Sequence, residues 1–152
     1  MALVGAYTED LNIFDTILVD KTYTEGNFAK ALHGKEEHIA EADLTLNNLI
    51  EETAKEIKIP YVKGNTLCGE CFDYYVESID DLISRFPKEL NIIGAEMEAF
   101  ALFYTAKYLN KKAACLLTVV DSHYKKQEIS SEAREKSLND MIHLALESSL
   151  KI

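Results

Sequence analysis

The 152-residue sequence lacks tryptophan and has no apolar run of about 20 residues, the length that a membrane-spanning helix needs. It also lacks the basic opening of a secretory signal peptide, because the chain starts with Met1, Ala2 and Leu3. No internal repeat, low-complexity tract or interdomain linker is visible. These absences predict a cytoplasmic protein without membrane spans, folded as a single domain over residues 1–152.

Cysteine is scarce, and this limits two classes of site. Cys68, Cys71 and Cys115 are the three cysteines of the chain, an odd, small number that fits a reducing compartment better than a disulfide framework. Cys68 and Cys71 have CxxC spacing, but no second cysteine pair completes the four ligands of structural zinc. The segment after Cys71 is aromatic and does not open a helix as in thioredoxin-type motifs. A cysteine redox or metal module therefore stays a minor alternative.

Positive charge is scarce as well. Lys and Arg number 16 against 26 Asp and Glu, for a net charge of −10. So acidic a chain repels phosphate backbones and anionic membranes, which argues against general nucleic-acid binding. A small anionic ligand held by a few placed cations remains possible. Neither a glycine-rich phosphate loop nor a dinucleotide-binding fingerprint is present.

The elements that the pattern does predict alternate between strands and helices. Strands are expected over residues 3–6, 13–20, 60–67, 92–95 and 113–120. Helices are expected from an Asp43 cap to before Pro60, over 78–85, over 99–109, and after a Ser130 or Ser131 cap at the C-terminal end. Residues 21–35 read as an irregular excursion. This alternation predicts an α/β layered domain.

The chain is organised around residues 91–122. A short apolar run ends in Glu96-Met97-Glu98, an apolar helix follows, and a second apolar run ends in Asp121. Strand, helix and strand in this order predict a βαβ unit with two parallel strands. Because ligands bind beyond the carboxyl ends of such strands, we expect the three carboxylates and the Met97 thioether to converge on one crevice.

Each candidate residue has a structural and a functional interpretation. Glu96 and Glu98 suit a helix N-terminus, or they accept hydrogen bonds from a substrate diol with Met97 as an apolar floor. Asp121 starts a turn, or it acts as a general acid. Arg134 opposes the helix dipole and is either solvated or paired with Asp121 or with substrate.

An aromatic group follows the second cysteine. Phe72, Tyr74 and Tyr75 form either an aromatic wall of the crevice or ordinary core. Composition alone does not separate the two interpretations.

Several segments together form a distinctive set. They are Gly5-Ala6, Asp10-Leu11, Phe14-Asp15, Gly64-Asn65, Gly94-Ala95-Glu96-Met97-Glu98-Ala99, Thr118-Val119-Val120-Asp121, Glu132-Ala133-Arg134, Asn139-Asp140-Met141-Ile142 and Ala145-Leu146-Glu147-Ser148. This set, which covers essentially the whole chain, closely resembles the bacterial hexameric purine nucleoside phosphorylases. The resemblance implies a three-layer α/β/α fold around a twisted mixed sheet. It also implies phosphorolysis of purine nucleosides and deoxynucleosides to free base and (deoxy)ribose 1-phosphate.

The same resemblance implies roles for individual residues. Glu98 would hold the ribose hydroxyls, with Met97 packing on the sugar and Glu96 nearby. Phe72 would face the base. Asp121 would protonate the purine at N7 with the assistance of Arg134. No cofactor is implied beyond inorganic phosphate as co-substrate, and a homo-oligomer, hexameric in the family, is expected.

The chain departs from the family pattern in two places. Val120 stands where the family usually has Ser before the catalytic Asp. The family also carries an N-terminal portion with a Gly-and-Arg phosphate loop, which has no counterpart before Gly5. We therefore expect an N-terminally truncated fold with an exposed sheet edge. Two alternatives remain: a phosphate-independent nucleosidase, and a catalytically incomplete fragment that binds nucleosides or needs a partner chain with the missing half.

Overall fold

The structure, a computed structural model, describes residues 2–125 and 138–152. Its strands are β1 (Ala2–Ala6), β2 (Thr16–Tyr23), β3 (Ile39–Glu41), β4 (Val62–Cys68), β5 (Ile92–Glu96) and β6 (Leu116–Ser122). Its helices are α1 (Phe28–His33), α2 (Leu44–Ile57), α3 (Ile79–Ser84), α4 (Ala99–Tyr108) and α5 (Asn139–Ser149), with short 3₁₀ turns at Asp73–Tyr75 and Lys88–Leu90. The predicted α/β class is confirmed. Within the described ranges, no helix has the length and apolar character needed to span a bilayer.

The sheet is mixed, and most of it closes on itself. Its strand order is β3-β2-β4-β5-β1-β6, and β2 pairs with β6 in addition. The ring is closed at the start of β2, where residues 16–18 run antiparallel to residues 116–118. Among the described residues, strand β3 pairs with β2 alone, at the other end of β2 over residues 21–23. Because β1 is paired on both sides, with β5 and β6, it is not the exposed sheet edge expected of a truncated fold.

Alternation along the strands separates two apolar faces. Leu18 packs in a cluster with residues of α2 and α5, whereas Ile17 and Val19 pack in another cluster with residues of α4. Successive side chains of a strand point to opposite faces of a sheet. The helices therefore cover both faces, and the predicted three-layer arrangement is confirmed.

Asp43 caps its helix as predicted, and Ser78 caps the helix expected over residues 78–85. The Asp43 side chain accepts a hydrogen bond from the backbone N–H of Leu46 at 3.0 Å. The Ser78 hydroxyl accepts one from the N–H of Asp81 at 3.2 Å. Each cap satisfies a backbone donor that the first helical turn leaves unpaired, and so defines where its helix begins.

Other predicted elements differ from the structure. Strand β2 continues to Tyr23, and helix α1 lies within the excursion expected to be irregular. Residues 99–109 are apolar on almost every side, which predicts a helix buried against other elements, but Leu102 in α4 is 44% exposed. The sequence of the last helix predicts a buried stripe of Leu138, Met141, Ile142, Ala145 and Leu146. In α5 Met141 is buried, and so is Leu144, but Leu146 is exposed. The Ser130 or Ser131 cap lies outside the described residues.

The predicted βαβ unit is wrong. Strand β5 runs antiparallel to β1, whereas β6 runs parallel to it, so β5 and β6 are antiparallel to each other and separated by β1. The pattern of residues 91–122 indicates the strands correctly. It carries no information about the insertion of β1, which comes from the start of the chain.

Candidate active site

Strand β1 brings the ends of β5 and β6 together. Gly5 is the register partner of Ala95 on one side and of Asp121 on the other. Glu96 directly follows Ala95, so the segment of Glu96 to Glu98 and the Asp121 carboxylate flank the same short strand. The predicted convergence of these residues therefore occurs, although by a different strand arrangement from the one expected.

A cleft of about 490 Å³ opens at this junction, within the range of small-molecule sites. Its lining includes five of the six predicted site residues: Phe72, Glu96, Met97, Glu98 and Asp121. The sixth, Arg134, lies outside the described residues.

Glu96 is held inside the protein. It is 4% exposed, and its Oε2 accepts hydrogen bonds from the backbone N–H groups of Glu98 at 2.7 Å and Ala99 at 2.6 Å. Its Oε1 accepts from the hydroxyls of Thr22 and Thr66, each at 3.2 Å. Burial raises the pKa of Glu96, and these hydrogen bonds oppose the rise. This geometry favours the structural interpretation of Glu96 as the residue that anchors the start of α4.

Met97 and Glu98, unlike the buried Glu96, face the cleft. Met97 is 45% exposed and Glu98 is exposed, and both line the cleft. The Glu98 Oε2 accepts a hydrogen bond from the Met97 N–H at 3.3 Å. Two glutamates only two positions apart thus have separate environments, one interior and one facing the cleft.

The aromatic residues after Cys71 are not core. Phe72 is 49% exposed, and Tyr74 and Tyr75 are more exposed still. The Phe72 ring stacks on that of Tyr74 with centroids 6.2 Å apart and planes 18° apart, and Tyr75 meets it edge-on. The core alternative is therefore wrong for this group, and Phe72 forms an aromatic side of the cleft.

The position of the Asp121 side chain depends on Gly5, its register partner in β1. It follows the buried residues Val119 and Val120 in β6. A side chain at Gly5 would place its first carbon 2.5 Å from the Asp121 Oδ1, well inside van der Waals contact. The absence of a side chain at Gly5 gives the Asp121 carboxylate room to lie over β1.

Sequence reasoning missed two further residues of the cleft. Tyr7 is 6% exposed, and its hydroxyl donates a hydrogen bond to the Asp73 Oδ2 at 2.9 Å. The Asp73 Oδ2 would lie 3.7 Å from a Cβ atom added at Gly5. Burial, followed by the charge of Asp73, raises the pKa of Tyr7, which keeps its hydroxyl protonated. The available signal was the position of Asp73 directly after Phe72.

The cysteines do not form the predicted alternative site. Cys68 is buried at the end of β4, and burial raises the pKa of its thiol to about 12, the opposite of what a redox thiol needs. Cys71 is exposed and donates to the carbonyl oxygen of Phe72 at 3.5 Å. In the described part of the chain, no three His, Cys, Asp or Glu residues are grouped as metal ligands would be.

The chain is similar in sequence to proteins of one known family. A family model for the phosphorylase superfamily matches residues 1–149. The DeoD-type purine nucleoside phosphorylase of Mycoplasma genitalium is 37% identical over 150 residues, which are 97% of this chain and 61% of that protein. The DeoD-type 2 enzyme of Aliivibrio fischeri is 32% identical over 148 residues, with the same coverage. The DeoD-type enzyme of Bacillus velezensis is 30% identical over 142 residues, 93% of this chain and 59% of that protein. The chain thus spans about three fifths of the length of these relatives.

Proposed function

Because the chain belongs to the phosphorylase superfamily, we propose that it acts as a purine nucleoside phosphorylase. It would cleave purine ribonucleosides and deoxyribonucleosides to free base and (deoxy)ribose 1-phosphate, with inorganic phosphate as co-substrate and no other cofactor. The observation that carries this proposal is the single cleft that collects Phe72, Met97, Glu98 and Asp121. The relatives described above, which are named purine nucleoside phosphorylases, support it.

The sugar end of the proposed site is built on the start of α4. Glu98 accepts hydrogen bonds from the ribose hydroxyls, and charge-assisted bonds of this kind are about twice as strong as neutral ones. Met97 provides an apolar contact to the sugar. Glu96 acts through Glu98 and does not contact the sugar, because its carboxylate accepts the hydrogen bond of the Glu98 backbone N–H. In this proposal Glu96 is a positioning residue.

The base end provides the acid. Phosphorolysis breaks the bond between the sugar and the base nitrogen while phosphate oxygen bonds to the sugar carbon, and the bonding electrons leave with the base. Asp121 donates a proton to the purine N7, which neutralises that charge, while Phe72 contacts the ring. Such general acid catalysis contributes roughly 10²–10⁴-fold. Arg134, outside the described residues, is proposed to assist the transfer.

Residues 1–152 would form one domain, and the protein would act as a homo-oligomer. A second candidate, a phosphate-independent nucleosidase, is favoured by one observation. In the described part of the chain, neither Lys nor Arg lines the cleft, although phosphate sites commonly use such cations.

Ultraviolet-monitored release of base from adenosine and inosine, with and without phosphate, tests both candidates. We expect release that requires phosphate and falls by roughly 10²–10⁴-fold in Asp121→Asn, because the amide has no acidic proton to donate. Asp20→Asn is the matched control, since Asp20 pairs with Lys63 away from the cleft.

Each other outcome has a definite meaning. Release that is independent of phosphate would identify a nucleosidase. Absence of release from a folded chain would contradict the proposal for this chain alone. Equal activity of Asp121→Asn and the control would remove Asp121 from the acid role.

A further inference from the structure

A hydrogen-bonded pair in the cleft has no role in the function proposed so far. The Tyr7 hydroxyl, on the residue that follows β1, donates to the Asp73 Oδ2 at 2.9 Å. Both residues line the cleft. Tyr7 is itself fixed, because it is buried and its ring stacks on Phe86 with centroids 6.4 Å apart. The buried tyrosine therefore holds the orientation of a cleft-lining carboxylate.

Asp73 lies at the base end of the proposed site. It directly follows Phe72 and opens the short 3₁₀ turn of Asp73–Tyr75. A Cβ atom added at Gly5 would lie 3.7 Å from the Asp73 Oδ2 and 2.5 Å from the Asp121 Oδ1. The two carboxylates thus approach the same point from different segments, so a ligand edge held at Asp121 would lie within reach of Asp73.

In the proposed site, the ligand edge that meets Asp121 is the purine edge that carries N7. The edge that carries N7 also carries the substituent at position 6, which is an amino donor in adenine and an oxygen acceptor in guanine. An ionised carboxylate only accepts hydrogen bonds. Next to N7, it is complementary to a 6-amino group and opposes a 6-oxo group.

We propose that Asp73, oriented by Tyr7, makes the site selective for 6-aminopurines over 6-oxopurines. This inference rests on the proposed function, which puts Asp121 at N7. The 6-amino group donates to the Asp73 carboxylate, whereas a 6-oxo group brings a second acceptor against it. Asp73 is a specificity-determining residue and takes no part in bond cleavage.

The test compares kcat/KM for adenosine and inosine in the full chain and in Asp73→Asn, Tyr7→Phe and the control Asp20→Asn. We expect the unaltered chain to favour adenosine by roughly 10–100-fold, the range of one hydrogen bond to a charged group. Asp73→Asn brings an amide that can donate to a 6-oxo group, so the ratio falls by a similar factor and inosine gains in absolute terms. Tyr7→Phe lowers the ratio less, because the carboxylate remains but loses its support.

Binding of adenine and hypoxanthine, measured by calorimetry on the same proteins, separates this inference from the proposed function. A preference for adenine that Asp73→Asn abolishes supports the inference even if no nucleoside is cleaved. Equal use of both nucleosides, a preference for inosine, or an unchanged ratio in Asp73→Asn overturns it, as does binding of neither base. A uniform loss on both substrates would indicate that Asp73 is only structural, and this also overturns the inference.

Discussion

At the scale of single residues, the cleft shows how environment separates two identical side chains. Glu96 faces inward and joins β2 and β4 to the start of α4 through its four accepted hydrogen bonds. Glu98, two positions later, is exposed in the cleft. A buried carboxylate is tolerated only when donors surround it, and that condition is met at Glu96. The structure therefore separates a supporting glutamate from one that can contact a ligand.

The support provided by Glu96 predicts a specific stability loss. Glu96→Ala should lower the free energy of unfolding by about 2–4 kcal/mol, because it leaves the buried N–H of Ala99 and the partly buried N–H of Glu98 without their acceptor. Glu96→Gln keeps an acceptor oxygen for these groups and should lose clearly less. Urea denaturation of both variants measures the difference. Equal, small losses in the two variants would show that these hydrogen bonds contribute little.

At the scale of elements, β1 determines the geometry of the cleft. It lies between the antiparallel β5 and the parallel β6, and two glycines allow this close approach. A side chain at Gly94 would come 2.6 Å from the backbone oxygen of Gly5. Since that neighbour is backbone, it cannot move aside as a flexible side chain would. The spacing of β1 and β5 therefore depends on Gly94.

Gly94→Ala should force the two strands apart, destabilise the chain by about 1–3 kcal/mol as overpacking does, and reduce base release from nucleosides. Gly34→Ala is a useful contrast. Nothing lies within 4 Å of a side chain there, but its φ is +79°, so we expect a cost of about 1–2 kcal/mol and unchanged activity. Thermal unfolding and the release assay on both variants check this. Full activity in Gly94→Ala would show that the strands tolerate separation.

At the scale of the whole molecule, five strands close into a ring, and β2 also pairs with β3 outside that ring. Strand β2 therefore has β3, β4 and β6 as its pairing partners. Its residues Ile17 and Leu18 are fully buried and paired with both β4 and β6. By contrast, within the part of the chain that the structure describes, β3 pairs with β2 alone, and Ile39 is 44% exposed. Local opening requires less free energy where fewer buried contacts are lost.

Native-state hydrogen exchange should reflect this difference. Amides of β2 at residues 17–19 should exchange only on global unfolding, whereas those of β3 at residues 39–41 should exchange through smaller openings. Mass spectrometry or NMR at low denaturant concentration resolves the two regimes. Exchange of β2 as fast as β3 would show that the ring opens between β2 and β6.

Local signals account for the part of the fold that could be predicted. Asp43 caps its helix as predicted, because a capping side chain bonds to a backbone group only three residues away. The apolar runs before Glu96 and Asp121 are strands, as predicted. Strand order was not predictable in the same way, because the pairing of β1 with β5 and β6 joins residues far apart in the chain.

The sequence by itself determined the α/β class, most of the strands and helices, and the identity of the carboxylates and Phe72 that line the cleft. It did so because these features follow from local periodicity, caps and a distinctive set of segments. Only the tertiary structure decided that β1 separates β5 from β6, that Glu96 faces the interior, and that Tyr7 meets Asp73. The physical reason is that a contact such as Tyr7 with Asp73 arises from the closing of the sheet. The two partners are 66 positions apart in the chain, so no local pattern predicts that they meet.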